Sequence, residues 1–351
     1  MKINAIELYQ YLQPLDKHLP VGKQRIDVRK GLILNVEVLD EAMTSHIEQV
    51  EISPLSGLDI DGNPITGFSL ESIEQVINEI KLSAAQLIGQ SIDSLLDLCD
   101  KTQLPSLAFG LSLLHAQFKG QLIGHQISLQ TMRSVPLIYR AQDELVSVLH
   151  ARVRSLAITI HSIKVKVAQT SLEEEIKLIH EILAIRPDLK LRLDANRGFT
   201  LEQAIEFAAC LPMSAIEYIE EPCINPQDNQ AFYHAIKMPW ALDESLNDPN
   251  YQFEMQDGLT ALVVKPMLIG SLEKLQQLQS DAEHAGVRFI LSSSLESSLG
   301  INALAKLNQV MTPGEIPGLD TLSAFSADIL ITSGKSRLLG LDTLTLINQY
   351  R

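Results

Sequence analysis

The chain of 351 residues has few cysteines and a deficit of basic side chains. Its three cysteines, Cys99, Cys210 and Cys223, form no paired metal-binding spacing, and their odd number favours a reduced, cytoplasmic location. Lys and Arg number 28 against 43 Asp and Glu, which leaves a formal net charge of −15. Binding to phosphates needs the opposite balance, so we expect no nucleic-acid partner.

Long apolar runs and several catalytic motifs are also missing. No stretch reaches the length of a membrane span and no apolar signal region opens the chain, so we expect no membrane partner and no export. The absence of Gly-x-Gly-x-x-Gly, Gly-x-Ser-x-Gly and His-Glu-x-x-His motifs argues against dinucleotide-binding, hydrolase and kinase functions and against a histidine metal site. The choice between monomer and homo-oligomer stays open.

What the chain does contain is a regular series of charged residues that end strand-like segments. They are Lys166, Asp194, Glu220, Asp243 and Lys265, at intervals of 28, 26, 23 and 22 residues. Each interval fits one strand plus one helix. Counted from about residue 135, the pattern predicts a parallel α/β barrel of seven or eight strands, whose carboxyl ends converge on one mouth.

The remaining segments predict a second, smaller domain. Strand-like alternation over the first 55 residues is followed by helical patterns, which is typical of a separate α+β unit. We predict an α+β capping domain over residues 1–130, the barrel over residues 131–322, and a C-terminal segment over residues 323–351 that returns to the capping domain.

Local signals predict where individual helices and turns begin. Ser69 is expected to cap a helix with Glu71 and Glu74 in its first turn. Thr200 and Gln203 form a capping box for a later helix. The Asp-rich segment 58–66 does not complete the ligand spacing of a calcium loop, so a turn is favoured there.

Three acids of the series, Asp194, Glu220 and Asp243, are expected to meet at the barrel mouth. Carboxylates crowded in a partly dry site repel one another and need a cation or shifted pKa values. Hard oxygen ligands suit Mg²⁺. Any one of these acids alone is more often a cap for the helix after its strand, but the ordered triple between lysines favours the metal site.

The lysines flank this acidic triple. Lys164 and Lys166 lie two residues apart, so on a strand they share one face, and Lys265 follows the acids by one strand. The second cation, together with burial, favours the neutral amine that a proton-abstracting lysine requires. A Lys-x-Lys pair by itself is usually solvated, but this pair lies one strand-plus-helix interval before the first of the three acids. The implied chemistry is removal of a proton α to a carboxylate.

These motifs resemble the enolase superfamily and, within it, most closely the o-succinylbenzoate synthase family of menaquinone biosynthesis. Enolase-type sites with a lysine base and Mg²⁺ are a known example of this pairing. The matching motifs, in order, are Lys-x-Lys (164–166), Asp-Ala-Asn-Arg (194–197), Glu-Glu-Pro-Cys (220–223), Asp-Glu-Ser (243–245), Lys-Pro (265–266) and Ser-Ser-Ser-Leu-Glu-Ser-Ser-Leu-Gly (292–300).

The resemblance implies a (β/α)₇β TIM-like barrel under an α+β capping domain and a small-molecule carboxylate substrate. By this likeness the three acids bind Mg²⁺, with Mn²⁺ a candidate substitute. Lys166 removes the α proton of 2-succinyl-6-hydroxy-2,4-cyclohexadiene-1-carboxylate and then protonates the leaving hydroxyl on the same face, which yields 2-succinylbenzoate. Lys265 stays cationic and stabilises the enediolate.

The resemblance also implies a set of substrate-contacting residues. Lys164 and Arg192 would set electrostatics and orientation, Asn196 would support the metal site, and backbone N–H groups around Gly318 would bind carboxylates. The substrate-binding residues implied are Lys164, Arg192, Asn196, Ser292, Ser293, Ser294 and Gly318. The chain departs from the family where segment 58–66 separates Pro54-Leu55-Ser56-Gly57 from Gly67-Phe68-Ser69. That departure bears on specificity more than on mechanism.

Two other functions stay open on the same residues. Two opposed lysines can deliver a proton to either face of a carbon, so a racemase or epimerase of N-acylamino acids or dipeptides is the main alternative. A barrel that only binds a ligand is the other, and the complete set of two lysines and three acids argues against it.

Overall fold

The computed structural model describes residues 1–22, 24–122, 127–140 and 144–351. The strands in these residues are β1 (Lys2–Val21), β2 (Gln24–Leu39), β3 (Ser45–Ile52), β4 (Leu137–Ile138), β5 (Ser162–Lys166), β6 (Lys190–Asp194), β7 (Ile216–Glu220), β8 (Trp240–Leu242), β9 (Leu259–Val264), β10 (Arg288–Leu291), β11 (Asp328–Ile329), β12 (Leu338–Leu339) and β13 (Thr345–Tyr350).

Ten α-helices accompany these strands in the same residues. They are α1 (Ile73–Leu87), α2 (Ser94–Lys101), α3 (Pro105–Phe118), α4 (Val146–Ser155), α5 (Leu172–Ile185), α6 (Leu201–Ala209), α7 (Asn229–Ile236), α8 (Pro266–Ile269), α9 (Leu272–His284) and α10 (Ser298–Met311). None of the described helices combines the length and the apolar composition that crossing a bilayer requires.

Strands β4 to β10 form a seven-stranded parallel sheet in chain order. An irregular segment takes the eighth position. The Val135 N–H donates to the Pro317 carbonyl at 3.0 Å, and the Gly318 N–H donates to the Leu291 carbonyl at 2.9 Å. Residues 317–318 therefore join the two edges of the sheet, which confirms the predicted parallel barrel.

The second sheet is antiparallel and has the order β13–β1–β2–β3. Its last strand comes from the C-terminus, where Tyr350 pairs with Ile6. Helices α1 to α3 lie next to this sheet along the chain, and buried side chains such as Val76 and Phe109 belong to the same hydrophobic core as strand residue Leu34. An α+β capping domain is thus present, while its predicted boundaries stay predictions.

Of the two helix caps predicted above, one is confirmed and the other is wrong. Thr200 and Gln203 form the predicted capping box at α6. The first helix is wrong by one turn: α1 begins at Ile73 and is capped by Ser72 with Gln75. The hydroxyl of Ser69 instead accepts the Leu55 N–H at 2.8 Å, because the chain there packs over the barrel mouth.

At the amino-terminal end of the barrel, Glu217 joins three strands. Its carboxylate accepts from Arg192 Nε at 3.0 Å, from Arg288 at 2.9 Å and from the Ser162 hydroxyl. Burial would raise the pKa of Glu217, but Arg192, Ser162 and Arg288 together lower it below its ordinary value of 4.5. A carboxylate whose pKa is lowered by folding stabilises the fold above its ordinary pKa, and that contribution is lost as the pH falls.

We expect Glu217→Gln to lower the free energy of unfolding by about 2–3 kcal/mol at pH 7, because Arg192 loses its carboxylate partner and Arg288 loses one of its two. The difference from wild type should shrink as the pH falls below 4.5, where protonation removes the same charge. Urea unfolding at pH 7 and at a pH below 4.5 measures this difference in stability, and Glu173→Gln at an exposed position is the control. An equal loss of stability at pH 7 and below pH 4.5 would contradict the assignment of this stabilisation to the charge of Glu217.

Candidate active site

The carboxyl ends of β5 to β9 bring the five predicted charged residues together. Lys166 pairs in register with Asp194, and Asp194 with Glu220, so these three lie side by side on neighbouring strands. Asp243 follows β8 and Lys265 follows β9. Four of the five line one pocket, and Glu220, which is 1% exposed, lies beneath it.

The three acids form one buried cluster. Each of Asp194, Glu220 and Asp243 offers a carboxylate oxygen, and these oxygens lie within 4.8 Å of one another. Burial, with the charges of Asp194 and Asp243, raises the pKa of Glu220 to about 7 despite a nearby lysine. The cluster is therefore short of positive charge, and its oxygen donors fit a hard divalent cation.

Lys164 lies against this cluster. Its Nζ is 2.5 Å from a Glu220 oxygen and 2.9 Å from an Asp194 oxygen. Burial by itself would lower the pKa of Lys164, but the two carboxylates raise it well above its ordinary value. Lys164 is thus a fixed cation that offsets part of the acidic charge.

Lys166 points into the pocket from the same strand face. Its Nζ donates to Asn196 Oδ1 at 2.6 Å and lies 3.6 Å from an Asp194 oxygen. Asn196 in turn donates from Nδ2 to Glu244 Oε1 at 2.8 Å. Because the Asn196 amide nitrogen donates to Glu244, the amide oxygen is directed at Lys166.

Lys265 stands on the opposite side of the barrel. Strands β5 and β9 are four positions apart in either direction around the barrel, counting residues 317–318 as the eighth position. Lys265 pairs with Asp243 and lies 5.8 Å from the ring centre of Phe68. Burial would lower the pKa of Lys265, but Asp243 and Glu244 raise it, so this side chain stays an ammonium.

Two further acids brace the strand ends and were not predicted. The carboxylate of Glu221 accepts the N–H groups of Asp243 at 3.2 Å and Ser245 at 2.8 Å, and it pairs with Arg197 at 3.2 Å. Glu244 holds the Asn196 amide. Each of the two directly follows a predicted metal ligand in the sequence, which places it close to the site. That position alone does not indicate which groups its side chain contacts.

The strand-end turns adopt the left-handed region of backbone conformation at residues other than glycine. The φ angles are +42° at Asn196, +54° at Arg197 and +38° at Glu221. Such conformations are strained for side chains with a Cβ and persist where surrounding contacts hold them. The hydrogen bonds of Glu221 and Glu244 supply those contacts here.

The other predicted contacts divide between the wall and the interior of the barrel. Ser292, Ser293, Ser294 and Gly318 line the pocket. Arg192 is buried and donates to Glu217 and to the Ile316 carbonyl, so it lies deeper in the barrel. Their roles toward substrate stay predictions.

The backbone N–H groups of that wall are already paired within the protein. The Ser292, Ser293 and Gly318 N–H groups donate to the carbonyls of Val264, Gly318 and Leu291, respectively. The Ser294 N–H donates to the Glu296 side chain at 2.8 Å. None of these four N–H groups is free for a substrate carboxylate in this conformation. The pocket cations are therefore the stronger binding groups.

The capping domain covers the pocket with three buried apolar side chains, which we call the apolar roof. They are Val21, Leu55 and Phe68. The resemblance had tied the segments that contain Leu55 and Phe68 to specificity, whereas no sequence signal singled out Val21.

Comparison with known proteins identifies the family. The family model described as "MenC, N-terminal domain" matches residues 3–118, and the one described as "Enolase C-terminal domain-like" matches residues 108–332. The o-succinylbenzoate synthase of Aliivibrio fischeri strain MJ11 is 33% identical over 334 residues, which cover 93% of each chain. The chain belongs to the o-succinylbenzoate synthase family of the enolase superfamily.

A second member of the o-succinylbenzoate synthase family and a solved structure with the same fold are also similar to this chain. The o-succinylbenzoate synthase of Pectobacterium atrosepticum is 33% identical over 93% of each chain. A crystal structure of o-succinylbenzoate synthase from Thermosynechococcus elongatus, with Mg in its active site, has a TM-score of 0.65 at 23% identity and covers 89% of this chain and 92% of that one.

The fold is shared beyond the o-succinylbenzoate synthase family. The N-succinyl Arg/Lys racemase of Bacillus cereus has a TM-score of 0.75 at 20% identity and covers 99% of both chains. Likeness at this identity establishes the enolase-type fold and no more. The family itself is one of carbon–oxygen lyases, so the chain is an enzyme of that class.

Proposed function

We propose that this enzyme is a Mg²⁺-dependent dehydratase that converts 2-succinyl-6-hydroxy-2,4-cyclohexadiene-1-carboxylate to 2-succinylbenzoate. The observation that carries the proposal is the placement of Lys166 and Lys265 on opposite sides of the barrel, with the buried acids between them. Family membership supports the choice of substrate, because relatives that match nearly the whole chain bear the name o-succinylbenzoate synthase.

In this proposal Asp194, Glu220 and Asp243 hold the Mg²⁺. A divalent ion bound there supplies Lewis-acid stabilisation of the negative charge that develops on the substrate carboxylate. With Lys166 neutral, Lys164 and Lys265 offset two of the three acidic charges, so a bound divalent ion would leave this cluster with an excess of positive charge. That excess complements the two carboxylates of the proposed substrate. Mn²⁺ is proposed as a substitute because it accepts the same oxygen ligands.

The reaction begins when the Lys166 amine removes the proton on C1 of the ring. The electron pair of the C–H bond moves into the adjacent carboxylate to form an enediolate, and the Lys265 ammonium opposite stabilises that charge. The pair then returns to the ring, the C6–O bond breaks, and the leaving hydroxyl takes the proton from the Lys166 ammonium. Water departs and the ring becomes aromatic.

Lys166 must be neutral before it can act as a base, and its immediate contacts direct the amine. One N–H donates to Asn196 Oδ1, whose orientation Glu244 fixes. A neutral lysine held this way retains a lone pair for the substrate. The same residue serves as base and acid on one face, so elimination is syn.

We expect chelation by EDTA to lower turnover of the hydroxycyclohexadiene precursor by at least about 100-fold, since uncompensated enediolate charge raises the barrier. Added Mg²⁺ should restore activity and raise the melting temperature, because a ligand of the folded state stabilises it. Product is followed by absorbance and mass. Full activity in a chelated sample shown to be free of metal would contradict the proposal.

The second candidate is a racemase or epimerase, because opposed lysines can also protonate either face of a carbon. Incubation with an N-succinylamino acid in D₂O distinguishes the two functions. Rapid α-deuteration without turnover of the cyclohexadiene would favour the racemase. Turnover of the cyclohexadiene with slow or no deuteration supports the dehydratase.

A further inference from the structure

The turn that follows strand β5 is held by one buried carboxylate, that of Glu175. This residue lies in the first turn of α5 and is 4% exposed. Its Oε2 accepts the Ala168 N–H at 2.6 Å, and its Oε1 accepts the N–H of Gln169 and, at 2.9 Å, that of Thr170. Three consecutive backbone donors thus share a side chain that has no part in the reaction steps proposed above.

The turn depends on this carboxylate for its conformation. Ala168 has a φ angle of +60°, in the left-handed region that is unfavourable for a residue with a Cβ. Successive N–H groups that converge on one point also form a concave site with partial positive charge, which requires an anionic or polar acceptor. Glu175 supplies that acceptor, so its three hydrogen bonds stabilise the strained conformation.

On one side, the turn continues directly from the proposed base. Lys166 is the last residue of β5, and the next residue, Val167, donates its N–H to the Asp194 carbonyl at 2.9 Å. The first N–H that Glu175 accepts belongs to the residue after Val167. The carboxylate therefore fixes the backbone within two residues of Lys166, which limits how far the amine can shift.

On the other side, the turn packs against the residues that hold the Lys166 amine. The Cβ of Ala168 occupies the space beside Gly198, where an added Cβ would overlap it. The Gly198 N–H donates to the Ala195 carbonyl at 2.8 Å, which closes the turn that carries Asn196. Because Asn196 accepts from Lys166, a displaced Ala168 would disturb the amine through this second path as well.

We propose that Glu175 is a positioning residue that keeps the Lys166 amine within reach of both of its proton transfers. The proposal rests on the proposed dehydratase function. The amine takes a proton from C1 and returns it to the hydroxyl on C6, so one position must serve two neighbouring atoms on the same face of the ring. A misplacement of about 1 Å costs on the order of 100-fold in rate. Glu175 acts through Lys166 and contacts no reacting atom.

The test compares Glu175→Gln with wild type and with Glu173→Gln, which changes an exposed acid in the same turn of α5. The glutamine keeps the size of the side chain, but its NH₂ group opposes an N–H donor of the turn. We expect the turnover number to fall about 30-fold to 100-fold, while KM for the cyclohexadiene and the Kd for Mg²⁺ stay within about threefold. If Glu175→Gln does not fold, Glu175→Asp replaces it, because the shorter carboxylate cannot reach all three N–H groups.

A kinetic isotope effect separates positioning from a loss of folded enzyme. With substrate deuterated at C1, the isotope effect on the turnover number should be larger in Glu175→Gln than in wild type, because slower proton removal limits the rate more strongly. Unfolding of part of the sample would lower the apparent turnover number and leave the isotope effect of the remaining enzyme unchanged.

A second variant tests whether the conformation of the turn carries the effect. Glycine adopts the left-handed region without strain, so Ala168→Gly combined with Glu175→Gln should recover turnover on the order of fivefold. Ala168→Gly by itself should have the turnover number of wild type, because the turn is already held.

The outcomes distinguish this role from the function on which it rests. Wild-type enzyme without dehydratase activity would overturn the proposed function and the role of Glu175 with it. If wild type is active, three results would each overturn the role of Glu175 alone. They are an unchanged turnover number in the Glu175 variant, a loss of turnover with an unchanged isotope effect, and a loss that Ala168→Gly does not reduce.

Discussion

Replacement of Lys166 by alanine should abolish dehydration. The proposed mechanism uses this amine twice, first to remove the C1 proton and then to protonate the leaving hydroxyl. General acid–base catalysis contributes about 10²–10⁴-fold for a positioned group, so we expect turnover to fall by at least about 10³-fold. Its neighbour cannot replace it, because Lys164 is held as a cation by Asp194 and Glu220.

The same variant should keep its metal affinity, which separates catalysis from metal binding. Lys166 is 3.6 Å from Asp194, but it supplies no metal ligand, and the three acids remain in place. Calorimetric titration with Mg²⁺ and single-turnover kinetics measure the two properties. The exposed Lys177→Ala on α5 is the matched control. Loss of Mg²⁺ binding with retained turnover would show that the role is misassigned.

Asp243→Asn should weaken Mg²⁺ binding, whereas Lys166→Ala should lose turnover and keep its Mg²⁺ affinity. The amide keeps the size of the side chain but removes one of three anionic ligands, so the Kd for Mg²⁺ should rise by at least about 100-fold. Activity at low Mg²⁺ should fall with it and recover in part at high Mg²⁺. Glu221 keeps its hold on the Asp243 backbone N–H, so the turn should not move.

Calorimetric titration with Mg²⁺, alongside activity at several Mg²⁺ concentrations, measures this prediction. Asp248→Asn serves as control, since this exposed acid lies five residues further along the same segment and outside the acidic cluster. Unchanged Mg²⁺ affinity in Asp243→Asn would remove this residue from the metal site. Loss of activity at every Mg²⁺ concentration with normal affinity would instead point to its contact with Lys265.

Much of the barrel could be predicted because its signals are local and repeat. Five successive strands, β5 to β9, end on a charged residue or directly before one, and several strands are followed by a helix with a side-chain cap, as at Thr200 and Gln203. Parallel strands in a barrel share one carboxyl end, so residues at equivalent positions must meet there. This rule and the sequence intervals are enough to predict that Asp194, Glu220 and Asp243 lie close together.

The same local signals fail where distant segments compete for a residue. Ser69 fits a helix cap by its neighbours, yet its hydroxyl binds the Leu55 N–H across the loop. The serines at 292–294 suggest free N–H donors, yet strand pairing and Glu296 occupy them. A sequence pattern indicates which hydrogen bonds a group can form. Which of the competing partners it binds depends on segments that are distant in the sequence and close only in the folded structure.

The order of charged residues along the chain determined the barrel, the acidic cluster and the pair of lysines, because period and register are properties of neighbouring residues. Only the tertiary structure decided which groups brace that cluster, as Glu221 and Glu244 do, and what covers the pocket. The roof joins residues from β1 and from both flanks of the segment 58–66. Such contacts depend on how the capping domain packs on the barrel, and no spacing within either domain encodes them.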